Sequence, residues 1–98
     1  MKLQRRLRIE AVADLALAYE WYEAQKPGLG EQFLRSVDSV FRRIETQPRL
    51  FPILEAATRR AYVAGFPYLV FFTLTKDAVL VLAVLHAKRS PDTWRTRQ

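Results

Sequence analysis

The spacing of apolar and polar positions changes several times along the chain. Residues 2–9 alternate: Leu3, Leu7 and Ile9 share one parity, while Lys2, Gln4, Arg6 and Arg8 share the other. A period of two predicts a short strand with one basic face, because successive strand side chains point to opposite sides. Arg5 falls on the apolar parity, which predicts an edge position rather than a central one. From residue 11 to 25 the period lengthens. Val12, Leu15, Tyr19 and Tyr22 recur at spacings of a helix, and the alanines between them favour that state. Lys-Pro-Gly-Leu-Gly at 26–30 is a turn. A second helix is predicted over 31–47, with Phe33, Val37, Val40 and Ile44 as its stripe, widened by Leu34 and Phe41. Glu31, Arg35, Asp38 and Arg42 lie outside that stripe, and Pro48 ends the helix. Two helices joined so closely predict an antiparallel hairpin.

The second half is strand-like. Residues 48–58, with prolines at 48 and 52, read as loop. Residues 59–63 predict a short strand, with Arg59, Ala61 and Val63 opposing Arg60 and Tyr62. Residues 68–75 and 78–86 predict two more strands around a Lys76-Asp77 turn, and Ser90 and Pro91 suit the start of a final helical turn. The order strand–helix–helix–three strands defines an α+β class: a mostly antiparallel sheet with the hairpin on one face, as a single domain over residues 1–98. The runs "YLVFFTL" and "VLVLAVL" do not alternate, so both faces of these strands require cover. The hairpin covers one face. The other predicts a partner-covered apolar surface, or one closed by "LFPILEAA" and the tail.

Composition narrows the chemistry. The 98 residues contain no cysteine and one histidine, His86, which excludes disulfides, thiolate zinc and histidine-rich metal centres. No cofactor is implied. The net charge is +6, with twelve arginines against four lysines. Arginine grips phosphate or carboxylate with two donors at once, so the balance favours anionic partners. No apolar run has the length of a membrane span and the start lacks a signal-peptide core, so no membrane role and a cytoplasmic location are expected.

Candidate chemistry gathers at strand ends. Arg59 and Arg60 open one strand, and His86, Lys88 and Arg89 close another, with Tyr62 and Trp94 available for stacking. If the strand order brings these ends together, they form a concave basic site suited to single-stranded RNA. A metal-free ribonuclease would use His86 as base or acid and Arg60 and Arg89 as cations on the phosphate. Against that, His86 shares parity with Leu80, Leu82 and Val84 and reads equally as the cap of an apolar face. Trp94 reads as the pin of the tail on the sheet, and Trp21 and Tyr22 as packing of the first helix. Serines 36, 39 and 90 have no convincing histidine–acid partner, which argues against a hydrolase triad.

The blocks "AVADLALAYEWYEAQKPGLGEQFL", "QPRLFP", "RRAYVAGFPYLVFF" and "VLVLAVLHAKRSPDTW" resemble, in order and spacing, the RelE/ParE superfamily of bacterial type II toxin–antitoxin modules. The resemblance implies a strand–helix–helix–three-strand fold and a cognate antitoxin whose flexible, often acidic segment wraps the toxin in a hetero-oligomer. RelE-like members cut mRNA on the ribosome; ParE-like members poison DNA gyrase and have no established catalytic residues. Carried over from the RelE pattern, Arg60 matches a basic strand residue and Lys88 or Arg89 the basic residue after the last strand. Trp94 replaces a tyrosine, Tyr62 replaces a lysine, and Leu69 stands where an arginine stabilises the scissile phosphate. An aliphatic group cannot do that work. The "VLAVLHAKR" ending is closer to ParE. A ParE-like toxin acting on gyrase is therefore expected, with Arg59, Arg60, Tyr62, His86, Lys88, Arg89 and Trp94 on the target or antitoxin surface. The alternative is a RelE-like ribosome-dependent endonuclease using Arg60, His86 and Arg89.

Overall fold

The computed structural model describes residues 2–88 and 92–98. Along the chain come β1 (Gln4–Leu7), α1 (Ile9–Gln25), α2 (Leu29–Thr46), a 3-10 turn (Pro48–Leu50), β2 (Ile53–Glu55), β3 (Thr58–Tyr62), β4 (Tyr68–Leu74), β5 (Ala78–His86) and a 3-10 helix (Thr93–Arg97). One mixed sheet has the order β1-β5-β4-β3-β2. β1 runs parallel to β5, and the other neighbours are antiparallel. The α+β class and the helical hairpin on one face agree with the patterning. One strand more is present than the pattern shows. β2 lies inside the segment read as loop, where three residues after Pro52 are too few to display a period. It pairs with β3 through an irregular register, Ile53 opposite Arg59 and Glu55 opposite Thr58.

The predicted stripe of α1 is offset from the buried one. Ala11, Ala18 and Tyr22 are buried, whereas Val12 is 52% exposed. Ile9, read as the end of the strand, instead opens α1 and is 81% exposed. Small alanines let the helix axis approach its neighbours closely, so the wider side chains turn outward. α2 buries Phe33, Val37, Val40, Phe41 and Ile44, as its spacing predicts. The hairpin is drawn tight at Gly30, where a Cβ would lie 2.8 Å from the ring and from the carbonyl oxygen of Tyr19. Gly28 holds the left-handed conformation, φ 91°, that a side chain would strain. Glu23 of α1 accepts the backbone N–H groups of Gly28 and Gly30, each at 2.9 Å. A carboxylate thus caps the donor-rich start of α2. Glu23, with burial second and Glu31 behind it, also pushes the Tyr19 phenol above its usual value.

β1 is an edge strand, as Arg5 led one to expect, and Arg5 has a job there. Its Nε donates to Glu45, its Nη1 donates to Asp38 at 3.0 Å, and its guanidinium lies 5.0 Å from the Phe41 ring centre. The bond to Glu45 outweighs burial and raises the Arg5 pKa. Glu45 is 2% exposed and would be costly to bury alone. In β5 a bulge at Leu82 breaks the parity: Phe72 opposes Val81, but Phe71 opposes Ala83. Val79, Val81 and Val84 therefore face the helices, while Ala83 and Leu85 face away. His86 keeps company with Val84, not with Leu80, whose partner is Thr73 on the other side.

Candidate functional site

The sheet face away from the helices carries its own small apolar cluster of Leu69, Phe71, Ala83, Leu85 and Trp94. Trp94 reaches it from the tail and lies flat on Phe71, with ring centroids 5.3 Å apart and planes 8° from parallel. The tail, rather than "LFPILEAA", provides this lid. Arg95 sits over the outer face of the indole, 4.9 Å from the ring centre, and donates to Glu55 of β2 at 2.7 Å. Beside this lid a pocket of about 340 Å³ opens, lined by Leu54, Glu55, Arg60, Leu69, Phe71, His86, Ala87, Trp94 and Arg95.

The strand order decides which expected site residues meet. β4 lies between β3 and β5, so Arg60 and His86 stand on opposite sides of Leu69 and Phe71 yet line the same pocket. Arg60 Nε is buried without a hydrogen-bond partner among the described residues, and its guanidinium lies 5.1 Å from the exposed Tyr62 ring. His86 Nδ1 accepts the backbone N–H of Lys88 at 3.1 Å. In the neutral ring this places the proton on Nε2. The His86 ring also packs T-shaped with Tyr68, 5.4 Å between centroids. Lys88 is exposed beyond the strand end. Arg59 belongs elsewhere: it alternates with Arg60 onto the helix side, where its Nη1 donates to the Phe51 carbonyl at 2.8 Å. Arg89, and the proposed cap residues Ser90 and Pro91, lie outside the described residues.

Trp94 is 4% exposed, so in this state it forms the pocket wall and offers neither ring face to a ligand. Leu54, Glu55 and Arg95 were not singled out from the sequence. The only signal for them was the clustering of charge in the tail, which does not specify a partner. A second recess runs between α1 and the end of β5, lined by Leu17, Trp21, Tyr68, Leu85 and His86 among others. Leu17 and Trp21 are 69% and 51% exposed there, so α1 shows an apolar flank to solvent. His86 stands where the two recesses meet. Among the described residues no group of three or more potential ligands is placed to hold a metal ion, and no helix is long and apolar enough to cross a membrane.

The overall fold resembles that of a solved structure titled "Chromosomal ParDE TA system from P. aeruginosa". The superposition has a TM-score of 0.78, with 13% identity, over 89% of this chain and 98% of that one. At the level of sequence, residues 6–91 match the family described as ParE toxin of type II toxin-antitoxin system, parDE. Toxin ParE2 of Mycobacterium tuberculosis, in strains CDC 1551 / Oshkosh and H37Rv, is 31% identical over 93 residues, covering 92% of this chain and 89% of that toxin. The chain belongs to the ParE toxin family of type II toxin–antitoxin systems.

Proposed function

We propose that the chain arrests bacterial growth by poisoning DNA gyrase in the cytoplasm and that a cognate antitoxin neutralises it by binding as a hetero-oligomer. Arg60 and His86, which line the open-face pocket, form the target or antitoxin surface together with the exposed Tyr62 and Lys88. The observation that carries the choice of a binding inhibitor over an enzyme is the centre of that pocket. Leu69, 8% exposed, lies between Arg60 and His86, where a ribonuclease needs a cation on the reacting phosphate. Arg95 does not replace it, since Glu55 already neutralises it at 2.7 Å. The antitoxin contact draws support from two features, the net charge of +6 and the exposed apolar flank of α1.

The test is pulse labelling after brief induction in a susceptible bacterium, following thymidine and methionine incorporation in parallel. DNA synthesis is expected to fall first while translation continues. Early collapse of translation would instead favour the ribosome and its mRNA as target and make Arg60 and His86 catalytic candidates.

A further inference from the structure

Residues 92–98 cross the open face of the sheet from one side to the other. Towards β2, Arg95 holds Glu55. At the centre, Trp94 lies on Phe71. Beyond β5, Arg97 Nη1 donates to Asp14 Oδ2 of α1 at 2.6 Å and to the Leu82 carbonyl at 3.2 Å, and its Nη2 donates to Asp14 Oδ1 at 3.3 Å. The same Asp14 Oδ2 accepts the Val84 N–H at 3.0 Å. β1 pairs with β5 only as far as Val81. Past that point the Leu82 carbonyl and the Val84 N–H point outward with no strand beside them, and the Asp14–Arg97 pair takes the place of one. An uncovered strand edge is a template for another chain, so this pair also blocks strand addition there.

We propose that the C-terminal segment is a displaceable strap that keeps the open face shut, with the Asp14–Arg97 ion pair as its clasp. The proposal rests on the reading that the open-face pocket is the partner surface, and it names what regulates access to that surface. Two observations single out the clasp. First, the strap is a 3-10 helix with three residues per turn, so Trp94 and Arg97 fall on the same side and move together. Second, the two ion pairs differ in burial. Arg97 and Asp14 side chains are 15% and 11% exposed, against 46% and 50% for Arg95 and Glu55. An exposed pair adds little, whereas a buried charge left without its partner is strongly unfavourable. Loss of Arg97 therefore frees both the indole and the β5 edge, and the pocket beside Arg60 and His86 widens along Phe71.

The test uses the full chain in a Trp21→Phe background, so that Trp94 is the sole tryptophan. Val84 amide exchange reports the edge, acrylamide quenching reports Trp94, and the Val37 amide of α2 reports overall integrity. Arg97→Gln is expected to speed Val84 exchange by about tenfold or more and to raise quenching by about threefold, with Val37 unchanged. Arg95→Gln is expected to leave both readouts within about twofold. Arg97→Lys, which keeps a cation beside Asp14, is expected to hold both readouts closer to the parent values than Arg97→Gln does. A shielded Trp94 or an unmoved Val84 in Arg97→Gln would overturn the strap, as would an Arg95→Gln variant that opens equally far. These readouts do not depend on the cellular target, so failure of the gyrase reading leaves them standing.

Discussion

Phe71 and Phe72 are adjacent in β4, almost equally buried at 4% and 0%, and face opposite ways. Phe72 enters the main core beneath the helical hairpin, with Phe51 at 5.9 Å, alongside Phe33, Ile44 and Val81. Phe71 enters the small cluster beneath the strap, with Trp94 as its cover. Equal burial hides unequal support. The hairpin is held by a continuous apolar interface, capped by Glu23 and drawn tight at Gly30. The strap is held by contacts that include the Trp94–Phe71 stack, the Arg95–Glu55 and Arg97–Asp14 ion pairs and the Arg97 bond to the Leu82 carbonyl. A cover of that kind opens locally without unfolding the rest, which is the property expected of a surface that exchanges its own tail for a partner.

The largest effect should separate these two phenylalanines. Phe72→Ala is expected to cost ~3–5 kcal/mol, since the rigid hairpin cannot collapse into the cavity. Phe71→Ala is expected to cost about half as much, because the strap can shift or release. Urea unfolding of both variants checks this, and equal losses would break the contrast. A smaller effect probes the tightness of the helical cover. Gly30→Ala forces a methyl group against Tyr19 at 2.8 Å and should cost ~1–3 kcal/mol, read as a lowered denaturation midpoint. The smallest stability effect belongs to the open face. Arg60→Ala removes a side chain whose Nε has no described partner and should change stability by less than ~0.5 kcal/mol. Growth arrest or antitoxin affinity should nevertheless fall by about tenfold, corresponding to loss of one charge-assisted contact. Unfolding curves paired with induction assays separate the two outcomes; unchanged toxicity and unchanged affinity would remove Arg60 from the partner surface.

Much of the fold was legible because it is encoded locally. The helix stripe of α2, the turn at Lys26–Gly30 and the span of β5 all follow from residues close in sequence, where period and turn chemistry act directly. Even Arg5, the one residue that spoiled its strand, correctly marked an edge. The site was legible in parts: Arg60 and His86 were named, and they share a pocket. Arg59 was grouped with Arg60, and alternation within β3 sends the two to opposite faces, as their parity in the sequence indicates. β2 was missed because three residues carry no period. The offset of α1 was missed because apolar residues occupy more than one of its flanks, and only the sheet beneath decides which flank is buried.

By itself, the sequence determined the number and kind of the long elements, the surplus of apolar strand surface, the basic charge and the family. Tertiary structure alone decided that β1 lies beside β5, that a bulge at Leu82 puts Val84 and His86 on the face opposite Leu80, and that Asp14 meets Arg97 across 83 positions of chain. Local patterns record which side chains want burial or a counter-charge. They do not record which distant element satisfies that want, since strand order, register and the path of a tail are settled only when the whole surface competes for cover.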